Sequence, residues 1–142
     1  MKRIDIAVPV TALRDDELTE TDRVLVMKAR EATYRAYAPY SKFHVGAAIL
    51  LDNGEIVTGS NQENAATPSS LCAERTAAYY AQSTYPDAKF KTIAIAARDT
   101  TGSELADPIS PCGACRQALL EFETLAGHNV RVVLAGSRQC YV

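Results

Sequence analysis

Apolar and polar positions fall into blocks whose period changes along the chain, and the changes mark the elements. From Thr21, Val24, Leu25, Met27 and Ala32, followed by Tyr34 to Ala36, suit a helix with one buried face. Pro39 ends it, because a residue before proline is disfavoured in the α conformation. Phe43 to Leu51 reads as a strand, Asp52-Asn53-Gly54 as a turn, and Glu55 to Ser60 as the returning strand of a hairpin. Asn61 to Ser70 is polar, contains Pro68, and reads as a loop. Ser70 is placed to cap an alanine-rich helix from about Leu71 to Gln82. Phe90 to Ala97 reads as a buried strand and Arg98 to Pro111 as a loop. Cys112 to Thr124 reads as a helix closed near Gly127, and Val130 to Ala135 as another strand. Residues 1 to 18, with Pro9 and the acidic run Asp15-Asp16-Glu17, read as an extended arm or short strand leading to a turn.

The later strands alternate with helices, which predicts an α/β fold, a three-layer α/β/α arrangement around a sheet of mixed direction. A length of 142 residues predicts one domain spanning 1–142, its first 20 residues an N-terminal arm. With 47% hydrophobic residues, the chain has enough apolar material for one core without staples. Net charge is −2 and no basic stripe is present, which argues against a polymeric nucleic-acid partner. A nucleic-acid-like ligand would be small and neutral, such as a nucleoside. No apolar core of signal-peptide length follows Met1-Lys2-Arg3, and the longest apolar run, Val45 to Leu51, is too short for a bilayer. The expectation is a cytoplasmic chain with no membrane partner and reduced thiols, in which cysteines are metal ligands or buried hydrophobes. Cys140 stands alone and reads as an ordinary buried cysteine.

The other three cysteines form a pattern. Leu71-Cys72-Ala73-Glu74-Arg75 and Pro111-Cys112-Gly113-Ala114-Cys115-Arg116 each follow a polar loop and open a predicted helix. Cys112 and Cys115 are three apart and share a helix face. Pro111 suits a helix start, where the dipole and free N–H groups stabilise thiolates. Two such helix starts facing each other would assemble three thiolates and leave one metal position open, a catalytic zinc arrangement. Zinc would lower the pKa of a bound water. Three thiolates work against that by their charge, and Arg75 is placed to offset it by hydrogen-bonding a sulfur. Glu74, two residues after Cys72, cannot be another ligand on the same edge, but it can reach toward water and substrate as a proton carrier.

A Cys-x-x-Cys alone also occurs in redox sites and structural zinc ribbons. A ribbon needs a fourth ligand, for which His44, His128 and Cys140 are the candidates. Cys-Ala-Glu followed about 40 residues later by Pro-Cys-x-x-Cys is more specific, and zinc deaminases carry that pattern with an all-cysteine variant of the ligand set.

At these residues the chain resembles the cytidine deaminase family in its small, homotetrameric form. The likeness spans roughly Ala29 to Val133. It rests on Tyr37-Ala38-Pro39-Tyr40-Ser41-Lys42-Phe43 with Val45-Gly46-Ala47-Ala48, on Asn61-Gln62-Glu63-Asn64-Ala65, and on the two cysteine motifs continued to Ala77 and Gln117. The resemblance implies hydrolytic deamination of cytidine and deoxycytidine in pyrimidine salvage, with one Zn²⁺ per subunit. Zinc hydroxide would attack C4, and Glu74 would move protons from the water to N3 and to the departing amine. It further implies that the Ala73 N–H binds the pyrimidine O2, that the Ser110 carbonyl accepts from the leaving amino group, and that Phe43 lies beside the base. Asn61 and Glu63 match a pair that binds the ribose 3′-hydroxyl. Two apart in an extended segment, they would face one side, and an amide with a carboxylate can both donate to and accept from one hydroxyl. On their own, Asn61 and Glu63 also read as a cap or solvated loop, and Phe43 as core.

Two departures stand out. Ala65-Ala66-Thr67-Pro68 differs from the family's loop, which reaches a neighbouring subunit's site. Relatives continue beyond the position of Val142 through a segment ending in Leu-Leu-Pro, which is missing or not included here; its absence would predict a more open pocket. Two other functions compete with the nucleoside deaminase. One is a deaminase of the same fold acting on a blasticidin-type antibiotic, and the other a non-enzymatic zinc module or RNA binder.

Overall fold

A computed structural model describes residues Met1–Val142. Six strands form one mixed sheet: β1 (Ala12–Leu13), β2 (His44–Leu51), β3 (Ile56–Ser60), β4 (Phe90–Arg98), β5 (Arg131–Ala135) and β6 (Cys140–Tyr141). Their order is β1-β6-β5-β4-β2-β3. Only β4 and β5 pair in parallel, as expected for a crossover through a helix. Three α-helices cover the sheet: α1 (Glu20–Ala32), α2 (Ala73–Thr84) and α3 (Gly113–Ala126).

Side-chain alternation along the central strands builds the layers. Ala47, Ile49 and Leu51 of β2 and Ile93 and Ile95 of β4 enter one core with Ala77 and Ala81 of α2 and Phe122 of α3. Ala48 of β2 and Ala94 and Ala96 of β4 enter the other, with Leu25, Val26 and Ala29 of α1. Both faces are apolar because helices cover both, so the strands read as near-continuous hydrophobic runs. Phe90 and Phe122 stack with centroids 4.5 Å apart and planes 10° from parallel, fixing α3 to the sheet.

Two close approaches set the helices. A Cβ on Gly46 would lie 2.1 Å from the Ala29 carbonyl oxygen, so α1 rests directly on β2. A Cβ on Gly59 would lie 2.5 Å from Ala77 N and 2.7 Å from the Ala73 oxygen, so α2 rests directly on β3.

Two expectations are corrected and one strand is added. The first helix becomes a 3-10 turn at Thr33–Arg35 and ends before Pro39. Tyr37 leaves the helix because its N–H donates to the Asn61 carbonyl at 3.0 Å and its own carbonyl accepts from Glu63 N–H at 2.8 Å. Cys72, not Ser70, is the N-cap residue of α2, because the Ser70 hydroxyl accepts from Asn64 N–H at 2.9 Å and so serves the loop. The short β6 was not foreseen; it pairs with both β1 and β5.

Direction places the site. β2 is antiparallel to both β3 and β4, with Gly46 opposite Ser60 and His44 opposite Arg98. The start of β2 and the ends of β3 and β4 therefore share one end of the sheet. Phe43 precedes that start, and the loops leading into α2 and α3 follow those ends.

Candidate active site

Cys72 and Cys112, which precede the first residues of α2 and α3, bring their sulfurs to 3.8 Å. With Cys115, one turn into α3, all three sulfurs lie within 4.8 Å of one another. Tetrahedral zinc with bonds of about 2.3 Å requires neighbouring sulfurs about 3.8 Å apart, so the residues fit the ion. Neither His44, His128 nor Cys140 joins the cluster. The Cys140 sulfur instead lies 3.5 Å from Asp15 Oδ1, and His128 Nδ1 lies 3.1 Å from the Asn129 carbonyl. The ligand set thus stops at three, as an open site requires.

The helix starts shape the electrostatics. N–H groups of Cys115 and Ala114 hold the Cys112 thiol below its usual range. Burial, with Glu74 and Cys72 nearby, pushes the Cys115 thiol well up, so a compensating cation is needed for three thiolates here. Arg75 provides one positive charge, with Nη2 donating to Cys72 Sγ at 3.6 Å. Its Nε is buried without an acceptor.

Glu74 is 4% exposed. Burial raises its pKa, opposed by its own backbone N–H, the Cys115 thiol and Arg75. A cavity of about 240 Å³ is lined by Phe43, Val45, Asn61, Cys72, Ala73, Glu74, Ile109, Ser110 and Cys112. Two of the three cluster cysteines, the buried carboxylate and four of the five sequence-derived substrate contacts thus line one hollow, with Cys115 buried behind it.

Glu63 is the exception. It lines an adjoining hollow with Tyr40, Ser41 and Ser70. Its carboxylate accepts from the N–H groups of Tyr40 at 2.8 Å and Ser41 at 3.2 Å, and from the Ser41 hydroxyl. These bonds, the hydroxyl's first, hold its pKa below the usual carboxylate range. Asn61 also works within the fold: Nδ2 donates to the Phe43 carbonyl at 2.9 Å, and Oδ1 accepts from Val45 N–H at 2.7 Å. One amide hydrogen and one lone pair remain for a ligand.

Sequence reasoning assigned no role to Val45 and Ile109 in the wall, nor to Arg116. The Arg116 Nε donates to the Pro111 carbonyl at 3.0 Å and Nη2 to Ser110 Oγ at 3.3 Å, fixing the turn that presents Ser110 and Cys112. The signal was an arginine directly after Cys115, paralleling Arg75 after Glu74.

Known proteins resemble this chain. The family model described as the cytidine and deoxycytidylate deaminase zinc-binding region matches residues 19–128. A cytidine deaminase of Sporosarcina psychrophila is 48% identical over 98 residues, covering 69% of this chain and 67% of that protein. One from Halalkalibacterium halodurans is 41% identical over 100 residues, covering 70% of each. The crystal structure of cytidine deaminase from Burkholderia pseudomallei superposes with a TM-score of 0.68 at 37% identity, over 83% of this chain and 85% of that one. That of Mycobacterium tuberculosis gives a TM-score of 0.62 at 36% identity, over 78% and 80%. With its three-cysteine cluster beside a buried glutamate, the chain belongs to the cytidine and deoxycytidylate deaminase family.

Proposed function

We infer that this chain is a zinc-dependent hydrolytic deaminase that converts cytidine and deoxycytidine to uridine and deoxyuridine with release of ammonia. The observation that carries the reading is the buried Glu74 carboxylate sharing one cavity with Cys72 and Cys112. Zinc held by Cys72, Cys112 and Cys115 supplies the Lewis acidity that makes water nucleophilic near neutral pH. Glu74 accepts the proton that water gives up, passes one to N3 of the ring, and later protonates the departing amine. Desolvation supports this role, since a carboxylate with a raised pKa exchanges protons more readily near neutrality. The Ala73 N–H binds the pyrimidine O2, the Ser110 carbonyl takes the amino group, and Phe43 packs beside the base. Asn61 and Glu63 bind the ribose, Asn61 through its unused donor and acceptor. Arg75 tempers the negative charge on the sulfurs.

Neutral nucleosides are favoured over phosphorylated substrates because no lysine and no arginine lines the cavity. The finer assignments belong to the same proposal: one domain over residues 1–142, a homotetramer, the cytoplasm, and a place in pyrimidine salvage. Tyr79 and Tyr80 on α2 and Leu120 and Leu125 on α3 are exposed, which supports assembly through those helices. No helix is long and apolar enough to cross a membrane.

Ultraviolet absorbance assays with cytidine, deoxycytidine, cytosine and CMP, run beside metal analysis, test the reading. Turnover of the two nucleosides with about one zinc per chain is expected. Turnover of a blasticidin-type substrate without either nucleoside would reject it.

A further inference from the structure

Ser41 lies between two residues that open onto different hollows. Phe43 lines the cavity beside Cys72 and Glu74, whereas Glu63 lines the neighbouring hollow. The Ser41 hydroxyl engages both. It donates to a Glu63 carboxylate oxygen and accepts from the Phe43 N–H at 3.1 Å. Lys42 makes this geometry possible by adopting φ 57°, the one positive φ outside glycine. A lysine holds that conformation only where its surroundings over-determine it.

The surroundings do so here. Lys42 N–H donates to the Ala38 carbonyl at 3.1 Å, and Glu63 takes the N–H groups of Tyr40 and Ser41. Downstream, Asn61 holds the Phe43 carbonyl and the Val45 N–H. The segment from Ala38 to Val45 is thus clasped by Asn61 and Glu63, and one hydroxyl links the carboxylate to the aromatic residue.

We propose that Ser41 is a positioning residue for nucleoside binding, its hydroxyl fixing Glu63 and Phe43 relative to one another. The inference rests on the functional reading above, in which Glu63 meets the sugar and Phe43 the base. Ser41 itself touches no reacting atom. In Ser41→Ala, the Glu63 carboxylate keeps the backbone N–H bonds of Tyr40 and residue 41, so the loop stays attached while its fine setting is lost.

Steady-state kinetics on cytidine, paired with thermal melting, provide the test. Ser41→Ala should raise KM roughly tenfold, as loss of a charged hydrogen bond would, with kcat within about twofold. Ser41→Thr should restore KM by returning the hydroxyl. Combined with Glu63→Ala, Ser41→Ala should add nothing to the KM of Glu63→Ala alone. An unchanged KM in Ser41→Ala, an equal loss in kcat, or additive effects in the double variant would overturn the proposal. Should Ser41→Ala fail to fold, the near-isosteric pair Ser41→Thr and Ser41→Val decides. A roughly tenfold higher KM for the valine variant supports the proposal, and equal values overturn it. A wild-type chain that fails to deaminate cytidine rejects the functional reading itself and this inference with it. Wild-type activity beside an unmoved KM in Ser41→Ala rejects the inference alone.

Discussion

Arg75 reaches Cys72 with one guanidinium nitrogen, Nη2 lying 3.6 Å from Sγ, and keeps Nε buried without an acceptor. A buried donor without a partner is costly, and thiolate sulfurs beside it are suitable acceptors. The arginine and the sulfurs are therefore one charge system. Arg75→Gln keeps part of the bulk and removes the charge. It should lower zinc affinity or kcat by about 10–100-fold, as loss of a partner behind metal ligands does. Metal titration with a chromogenic chelator, read beside kcat, checks this.

Glu74→Gln preserves shape and removes the proton carrier. Turnover of cytidine should fall by about 10²–10⁴-fold or more. Zinc content should stay near wild type, because the three sulfurs are untouched. Atomic absorption on the purified variant separates lost chemistry from lost metal, and full activity in this variant would refute the assigned role.

Gly59 sits where β3 meets α2. In Gly59→Ala the new Cβ would meet backbone at 2.5 Å, which no side-chain rotation can relieve. Overpacking of this kind costs about 1–3 kcal/mol. The melting temperature should drop by several degrees, on the order of 3–10 °C. The kcat should fall too, because the displaced helix carries Glu74. Differential scanning calorimetry and kinetics together test the link.

Part of the acid sensitivity should originate far from the cavity. Asp15 accepts from Arg30 Nη1 at 2.6 Å, and that bond holds its pKa below the ordinary value. A carboxylate depressed by folding adds stability that is present above its unfolded pKa of about 3.9 and lost as pH falls through the folded value. Melting temperatures should therefore decline below about pH 4. The decline should be shallower in Asp15→Asn, with a lower plateau near neutrality. A melting series across this range in both proteins gives the comparison.

Much of this was legible from residue order. Short, near-continuous apolar runs identified the central strands, and Asp52-Asn53-Gly54 fixed the hairpin, with Gly54 at φ 87°. The spacing of Cys112 and Cys115 foretold clustered sulfurs at a helix start, although Cys112 is the extended N-cap residue and not part of the helix face. What stayed hidden depended on partners distant in sequence. Ser70 looks like a cap until Asn64 claims its hydroxyl. Tyr37 looks helical until the strand-like pairing with Asn61 and Glu63 is known. Nor does spacing reveal that the Tyr40–Ser41 segment already holds the Glu63 carboxylate within the fold. β6 is only two residues long, too short for any periodicity to register.

The antiparallel β2 gathers the chemistry at one end of the β3-β2-β4 half of the sheet, while β1 and β6 lie at the opposite edge. The two halves can therefore change on separate terms. Altered sequence on the exposed stretch from Met1 to Thr11 would adjoin that far edge, where Thr11 pairs with Val142. Such separation makes that edge the part of the sheet most open to sequence change with the chemistry left running.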